Sequence, residues 1–184
     1  MSHRTALVLG GSRAGKSAFA VARARRAADG GGRVVVVATA EAGDAEMAAR
    51  IARHRAERPA DWATIEAPRE LVPALSDLAG KADVVLVDCL NLWVANLLGE
   101  GPHPRPETME AVLGAARRLA DLAARPLFEL LLVSNEVGWG VHPETAVGRH
   151  FRDALGLVNQ TVAAAADDVV LLVAGCPLWL KGGP

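Results

Sequence analysis

Cysteine is scarce in this chain: Cys89 and Cys176 are the two among 184 residues, far apart and in no CxxC or other ligand pair. That excludes a disulfide framework, and with no His/Cys cluster it also excludes a zinc site. Both thiols are expected to be reduced and buried in the core. Net charge is nearly absent too, at −1, so no global field recruits nucleic acid or an anionic membrane, and clustered arginines must be read as local sites. No apolar run reaches the roughly 18 residues of a membrane span. The start, MSHRTALVLGG, has too short an apolar run for a secretory signal and passes into a polar glycine loop. The cytoplasm is the expected location. Repeats, low-complexity tracts and linkers are lacking, so one domain over residues 1–184 is expected, and 51% hydrophobic residues suffice for its core.

What is present is an alternation of strands and helices. Strands are expected at 5–9, 33–39, 62–66, 82–88, 129–134 and 169–173. RVVVVAT and ADVVLVD are apolar throughout, as strands covered on both faces are. Helices are expected at 16–28, 44–58, 69–78, 90–98, 107–124 and 145–166. Asp44 is the N-cap and Pro59 the stop of the second, and Gly156 a candidate break in the last. Residues 99–106 read as a loop, and the C-terminal CPLWLKGGP is assigned no element and no role. This order implies an α/β protein with a mostly parallel sheet. Ligands of such sheets sit beyond the carboxyl ends of the strands, so Gly10, Thr39, Asp88 and Asn135 are expected along one rim.

GGSRAGKS, residues 10–17, matches G-x-x-x-x-G-K-[ST] between a strand and a helix. Its glycines let the backbone turn amide N–H groups inward, where with the helix N-terminus they hold phosphate oxygens. Lys16 reaches the terminal phosphates, and the Ser17 hydroxyl binds Mg²⁺. Asp88, ending VVLVD, is the expected acid on a neighbouring strand that holds the same metal, a helix cap being the alternative. The Asn-Lys-x-Asp pattern for guanine is absent, so these residues do not choose between GTP and ATP.

RIARHRAERPADW, residues 50–62, sets His54 among Arg50, Arg53, Arg55 and Arg58. Met47, Ile51, His54 and Arg58 are spaced four, three and four apart and share one helix face. The apolar pair implies that this face, His54 included, turns inward. Nearby guanidiniums disfavour a second positive charge and hold the imidazole below its reference pKa of roughly 6.5. They would also draw in a polyphosphate. Such an imidazole is suited to attack phosphorus and carry a phosphoryl or nucleotidyl group, although a structural or substrate-binding histidine stays open. Glu66 is either a hydrogen-bond acceptor for a ribose or for His54, or a surface carboxylate.

Taken with VVVVATA, VVLVDCLNLWVANLL, LVSNEVGWGVHPE and GRHFRDALGLVNQTVAAAADDVVLLVAG, these stretches resemble one family over nearly the whole chain. It is the bifunctional adenosylcobinamide kinase / adenosylcobinamide-phosphate guanylyltransferase family of cobalamin biosynthesis. The resemblance implies a RecA-like P-loop nucleoside triphosphate-binding fold and a homotrimer in which neighbouring helices complete the clefts. It implies two reactions that use Mg²⁺. ATP or GTP phosphorylates the aminopropanol hydroxyl of adenosylcobinamide. GMP from GTP is then joined to adenosylcobinamide phosphate, giving adenosylcobinamide-GDP and pyrophosphate. The guanylyl carrier maps onto His54, which with Lys16 forms the expected catalytic pair. Nucleotide contacts map onto Gly10, Gly11, Ser12, Arg13, Ala14, Gly15, Lys16 and Ser17. Further contacts map onto Ala38, Thr39 and Ala40, onto Arg55, Ala56, Glu57 and Arg58, and onto Glu66 and Asp88. Metal binding maps onto Ser17 and Asp88. Ala14 stands where relatives often carry Ser, and Arg53 where many carry a second His.

Asn135 and Glu136 either touch substrate or build a turn. Trp93 and Trp139 either stack on a corrin or base or pack, and packing is the commoner use. His142 and His150 read as surface or interface residues, and His103 has no evident partner. Three rival readings stay open. One is a single-activity P-loop kinase in which His54 only binds substrate. Another is a guanylyltransferase without the kinase step. The third is a RecA-like ATPase acting on nucleic acid; the lack of a basic stripe speaks against it, so no nucleic acid partner is expected.

Overall fold

Runs of valine and leucine build the centre of the molecule. The computed structural model describes residues 3–41, 43, 45–56, 58–99 and 106–183, apart from the side chains at 46, 47, 50, 51, 54, 106 and 107. Strands β1 (Thr5–Gly10), β2 (Val34–Ala38), β3 (Ala63–Glu66), β4 (Val84–Asp88), β5 (Glu129–Val133), β6 (Asp168–Val173) and β7 (Cys176–Lys181) form one sheet. Its order is β3-β2-β4-β5-β1-β6-β7. The first six strands are parallel and β7 runs antiparallel to β6. The helices are α1 (Lys16–Ala27), α2 (Ala45–Ala56), α3 (Leu71–Ser76), α4 (Leu90–Leu98), α5 (Pro106–Ala124) and α6 (Ala146–Ala165).

Alternate strand residues point to opposite faces. Leu7, Val35, Val85, Leu130 and Leu171 join the core beneath α3, α4, α5 and α6, whereas Ala6, Val8, Val36, Leu86 and Leu131 join a smaller core beneath α1. Each fully buried Val or Leu contributes about 1.5–3 kcal/mol relative to exposure, so the two-faced strands dominate the fold. This is the α/β, mostly parallel architecture expected, consistent with a P-loop nucleotide-binding fold. No helix among the described residues is long and apolar enough to cross a membrane.

Several expectations need correction. Helix α6 runs through Gly156 without a break, because Leu155, Val158 and Asn159 are buried on its inner face and outweigh the roughly 1 kcal/mol cost of one glycine. Thr145 starts the helix from outside, accepting at Oγ1 from the Gly148 amide at 3.1 Å. The thiols are not fully buried: Cys89 is half-buried and packs against the smaller core, and Cys176 is exposed. CPLWLK, left without an element, is the edge strand β7. It escaped notice because Pro177 argues against a strand. Val173 and Cys176 flank a two-residue turn at Ala174 (φ 51°) and Gly175 (φ 80°), the positive-φ pair of a tight hairpin. Asp44, expected to cap α2, and most of the 99–106 loop with His103 lie outside the described residues.

The end of the sheet opposite the strand carboxyl ends is closed by charge. Asp168, 1% exposed, receives Arg4 Nη2 at 2.8 Å, a close hydrogen bond from Arg23 and the Gly183 amide at 3.2 Å. Lys181 Nζ donates to the carbonyls of Ala163, Ala164 and Ala166 at 3.2, 3.0 and 2.5 Å, at the carboxyl end of α6. A cation there also opposes the negative end of the helix dipole. Burial is the largest single influence on Asp168 and favours its protonated form, but the hydrogen bonds from Arg23, Arg4 and Gly183 together outweigh it and hold the carboxyl below its usual range. A depressed folded-state pKa contributes stability that is complete above the unfolded value of about 3.9 and is lost as pH falls through the folded one. Asp168→Asn is expected to cost about 2–4 kcal/mol at pH 7. In urea unfolding the gap to the unsubstituted protein should narrow below about pH 4; an equal gap at pH 3 would show that the charge is not the cause.

Candidate active site

Six parallel strands end on one side of the sheet, and the register aligns their ends. Ala38 pairs with both Glu66 and Asp88, Asp88 with Val133, and Val133 with Val8. Gly10, Thr39, Asp88 and Asn135 therefore do share a rim. One relation differs from expectation. Strand β5 lies between β1 and β4, so Asp88 is not on the strand beside the phosphate loop but one further, about 10 Å across the sheet.

The glycine-rich loop of residues 10–17 is shaped by backbone sterics. At Gly10, with φ 155°, an added Cβ would stand 2.7 Å from the Leu172 carbonyl oxygen. Gly15 has φ 97° and caps α1 with no side-chain bond; no acid sits in the first turn. Arg13 is also left-handed at φ 58°. Alternating handedness turns successive amides toward a common concavity, and the uncapped helix start adds its positive dipole end. The loop is held from outside by two amides: Glu136 N donates to Gly10 O and Gly175 N to Ala14 O, each at 3.0 Å. Lys16 is buried, and its Nζ donates to Gly11 O at 2.7 Å.

Beside this loop, Ser17, Ala18, Val21, Ala22 and Arg25 of α1 face Leu86, Asp88, Val133 and Arg58 across a cleft of about 370 Å³. Arg58 Nη2 donates to Asp88 Oδ2 at 3.0 Å, with both side chains mostly buried. A right-handed β2–β3 connection puts α2 on the α1 side of the sheet, and Arg58 follows its last residue by two. Among the described residues of α2, every side chain is exposed, Arg53, Arg55 and Ala56 included. His54 lies on the described backbone of α2. Its side chain, and those of Met47 and Ile51 on which its inward orientation rested, lie outside the described residues, as does Glu57.

The remaining expected residues lie further along the rim. Thr39 is fully buried and engaged within the protein: its hydroxyl donates to Cys89 O at 2.7 Å and accepts from Cys89 N at 2.9 Å, and its carbonyl accepts from Asn96 Nδ2 at 2.7 Å. Ala38 is buried beside it and Ala40 half-buried. Glu66 is exposed on β3, the edge strand. Ser17, Asp88 and Arg58 thus line one cleft, with Lys16 beside it in the loop, while Ala38, Thr39, Ala40 and Glu66 lie on the far side of β4. Trp93 packs, being 1% exposed with Nε1 donating to Arg69 O at 2.9 Å. Trp139 does not: it is 77% exposed. His142 is exposed, and His150 is half-buried with Nδ1 2.9 Å from Ala146 O.

Residues 6–180 match the model of a family described as cobinamide kinase / cobinamide phosphate guanyltransferase. The chain belongs to this family. It is 44% identical over 179 residues to the bifunctional adenosylcobalamin biosynthesis protein CobP of Pseudomonas aeruginosa, covering 97% of this chain and 98% of that protein. The bifunctional proteins CobU of Salmonella typhimurium and of Escherichia coli are 39% and 38% identical, each over 95% of this chain and 98% of the relative.

In this cobinamide kinase / guanyltransferase chain, four features of the site have no clear local signature: the backbone amides of Gly175 and Glu136, and the side chains of Asn159 and Asn91. The Gly175 and Glu136 amides act at a distance of more than a hundred residues, which no local pattern reveals. Asn159 on α6 accepts from Ser134 Oγ at 2.7 Å and donates to Asn135 O at 3.0 Å; a buried Asn on the apolar face of a helix was its available signal. Asn91, in the first turn of α4 just beyond Asp88, has a buried Oδ1 with no hydrogen-bond partner among the described residues. Such unpartnered buried atoms are few in native proteins. Gly10→Ala drives a methyl group against the β6 backbone and is expected to destabilise the protein by about 1–3 kcal/mol, read by urea unfolding. Gly11→Ala, where the space is open, should cost far less.

Proposed function

We propose that this chain phosphorylates the aminopropanol hydroxyl of adenosylcobinamide with ATP or GTP and then transfers GMP from GTP to the product through a guanylyl-His54 intermediate. Family membership over nearly the full length supports the paired activities. The single observation that supports the histidine route is the Arg58–Asp88 ion pair at 3.0 Å, which ties the end of the His54-bearing helix to the cleft that Ser17 lines.

In the kinase step the loop amides of residues 10–17 hold the triphosphate. Lys16 exchanges its Gly11 carbonyl for phosphate oxygens, and the acceptor hydroxyl displaces a nucleoside diphosphate from the γ-phosphorus. In the second step a neutral His54 nitrogen attacks the α-phosphorus and pyrophosphate leaves, its charge balanced by Arg55 and Arg58. A phosphate oxygen of adenosylcobinamide phosphate then displaces the imidazole, forming the P–O–P bond of adenosylcobinamide-GDP. The Ser17 hydroxyl and the Asp88 carboxylate are oxygen donors on one cleft and suit Mg²⁺, which when bound lowers the charge of the phosphates. Along the rim, Ala38, Ala40 and Glu66 offer contacts to the nucleoside, and Thr39 positions the ends of β2 and β4. The exposed side chains of α2 fit a helix covered by another subunit, as in a homotrimer.

The test is incubation with GTP labelled at the α-phosphate. An acid-labile, base-stable adduct is expected on the protein and should vanish in His54→Ala. Lys16→Ala should lower the rate of cobinamide phosphorylation by about 100-fold or more. Phosphorylation without any adduct would leave a single-activity kinase.

A further inference from the structure

Strand β5 stands between the phosphate-loop strand β1 and the Asp88 strand β4. The chain leaving it therefore emerges in the middle of the rim, between the two halves of the site. This segment, residues 134–145, is fixed at both ends. At the start, Ser134 N donates to Val8 O at 2.9 Å and Glu136 N to Gly10 O at 3.0 Å. Glu136 Oε1 accepts from Gly138 N at 2.7 Å, making a tight turn. At the far end, Arg149 Nη1 donates to the carbonyls of Pro143 and Glu144 at 3.0 and 2.7 Å.

Between these anchors two apolar side chains point into solvent. Trp139 is 77% exposed and Val141 94% exposed, and no other large hydrophobic side chain among the described residues exceeds 56%. The anchors fix where the loop starts and ends, so the exposed indole is kept close to the rim and offers a ready apolar surface to a ligand. The loop begins at a hydrogen bond to the phosphate loop itself, and Trp139 follows three residues after Glu136, within about 10 Å of chain. Whatever lies on Trp139 thus lies within an arm's length of the transferred phosphate. Helix α2 occupies the α1 side of the sheet, whereas Asn159 and Arg149 tie this loop to α6 on the opposite side. The nucleotide and the acceptor can then approach from different sides.

We propose that Trp139, with Val141, forms the platform on which the corrin ring of the acceptor lies while its aminopropanol arm reaches the phosphate. This rests on the function proposed above. The corrin rim carries methyl groups between its amide arms, and an indole can pack on such an apolar edge while its N–H meets an amide oxygen. The proposal assigns Trp139 to substrate binding and specificity, with no part in bond making.

Steady-state kinetics with adenosylcobinamide and GTP test it. Trp139→Ala should raise KM for adenosylcobinamide by about tenfold or more, leave KM for GTP unchanged, and be largely rescued in Trp139→Phe. Adenosylcobinamide added without nucleotide should quench tryptophan emission, and part of that quenching should be missing in Trp139→Phe. An unchanged KM for adenosylcobinamide in an active Trp139→Ala protein would overturn the platform alone. A changed oligomeric state with that KM unaltered would also overturn it, assigning the indole to a subunit contact. Absence of cobinamide phosphorylation by the unsubstituted protein would overturn the functional reading, and the platform with it.

Discussion

The carbonyl groups of Gly10 and Ala14 are each claimed by an amide from another part of the chain, and the site depends on those two bonds. A loop that points several N–H groups at one place must turn its own carbonyls outward, where they find partners elsewhere. Glu136 supplies one partner and Gly175 the other. One comes from the strand on each side of β1, so the loop is braced symmetrically. The glycines follow from this: at Gly10 the β6 backbone leaves no room for a side chain, and at Gly15 an added Cβ would lie 3.3 Å from Gly175 Cα.

The strand order converts that local brace into a two-sided site. Because β5 separates β1 from β4, the phosphate loop and Asp88 leave a gap between them, and the chain leaving β5 fills it on the α6 side. On the α1 side the gap opens into the cleft that Ser17, Arg25, Arg58 and Asp88 line. Among the described residues, the core on that face is packed by helix α1, whereas four helices cover the other. The thinly covered face is where a large polar ligand has room, and it is also where Arg58 brings the end of α2.

Much of this was legible in the sequence where the signal was local. Continuous apolar runs marked the central parallel strands, because strands covered on both faces leave no alternation to blur them; the short edge strand β3, with no fully buried residue, carries no such run. GGSRAGKS marked the loop because its chemistry is fixed by spacing. What escaped was set by long-range pairing. Asp88 read as the neighbour of β1 because nothing near VVLVD records that β5 inserts between them. Pro177 hid β7, Gly156 suggested a break that burial of the α6 face overrides, and the two cysteines were judged by residue type when Cys176 lies on the edge strand β7 and Cys89 just past the carboxyl end of β4. Trp139 illustrates the same limit, since the preference of tryptophan for cores gave way to an exposed place on a loop anchored at its two ends. The face on which His54 was expected rests on side chains outside the described residues.

Pro177 has a consequence at the margin of the sheet. In a two-residue hairpin the residues flanking the turn form the hydrogen-bonded pair, so Pro177, opposite Leu172, occupies the other kind of position, where an amide would face outward. The missing donor interrupts the outer edge of β7, and the irregular register at Val169/Val170 twists it further. At the opposite margin β3 offers only four residues. Neither border presents a long, regular row of donors and acceptors, so the sheet resists growing by strand addition into fibrillar aggregates.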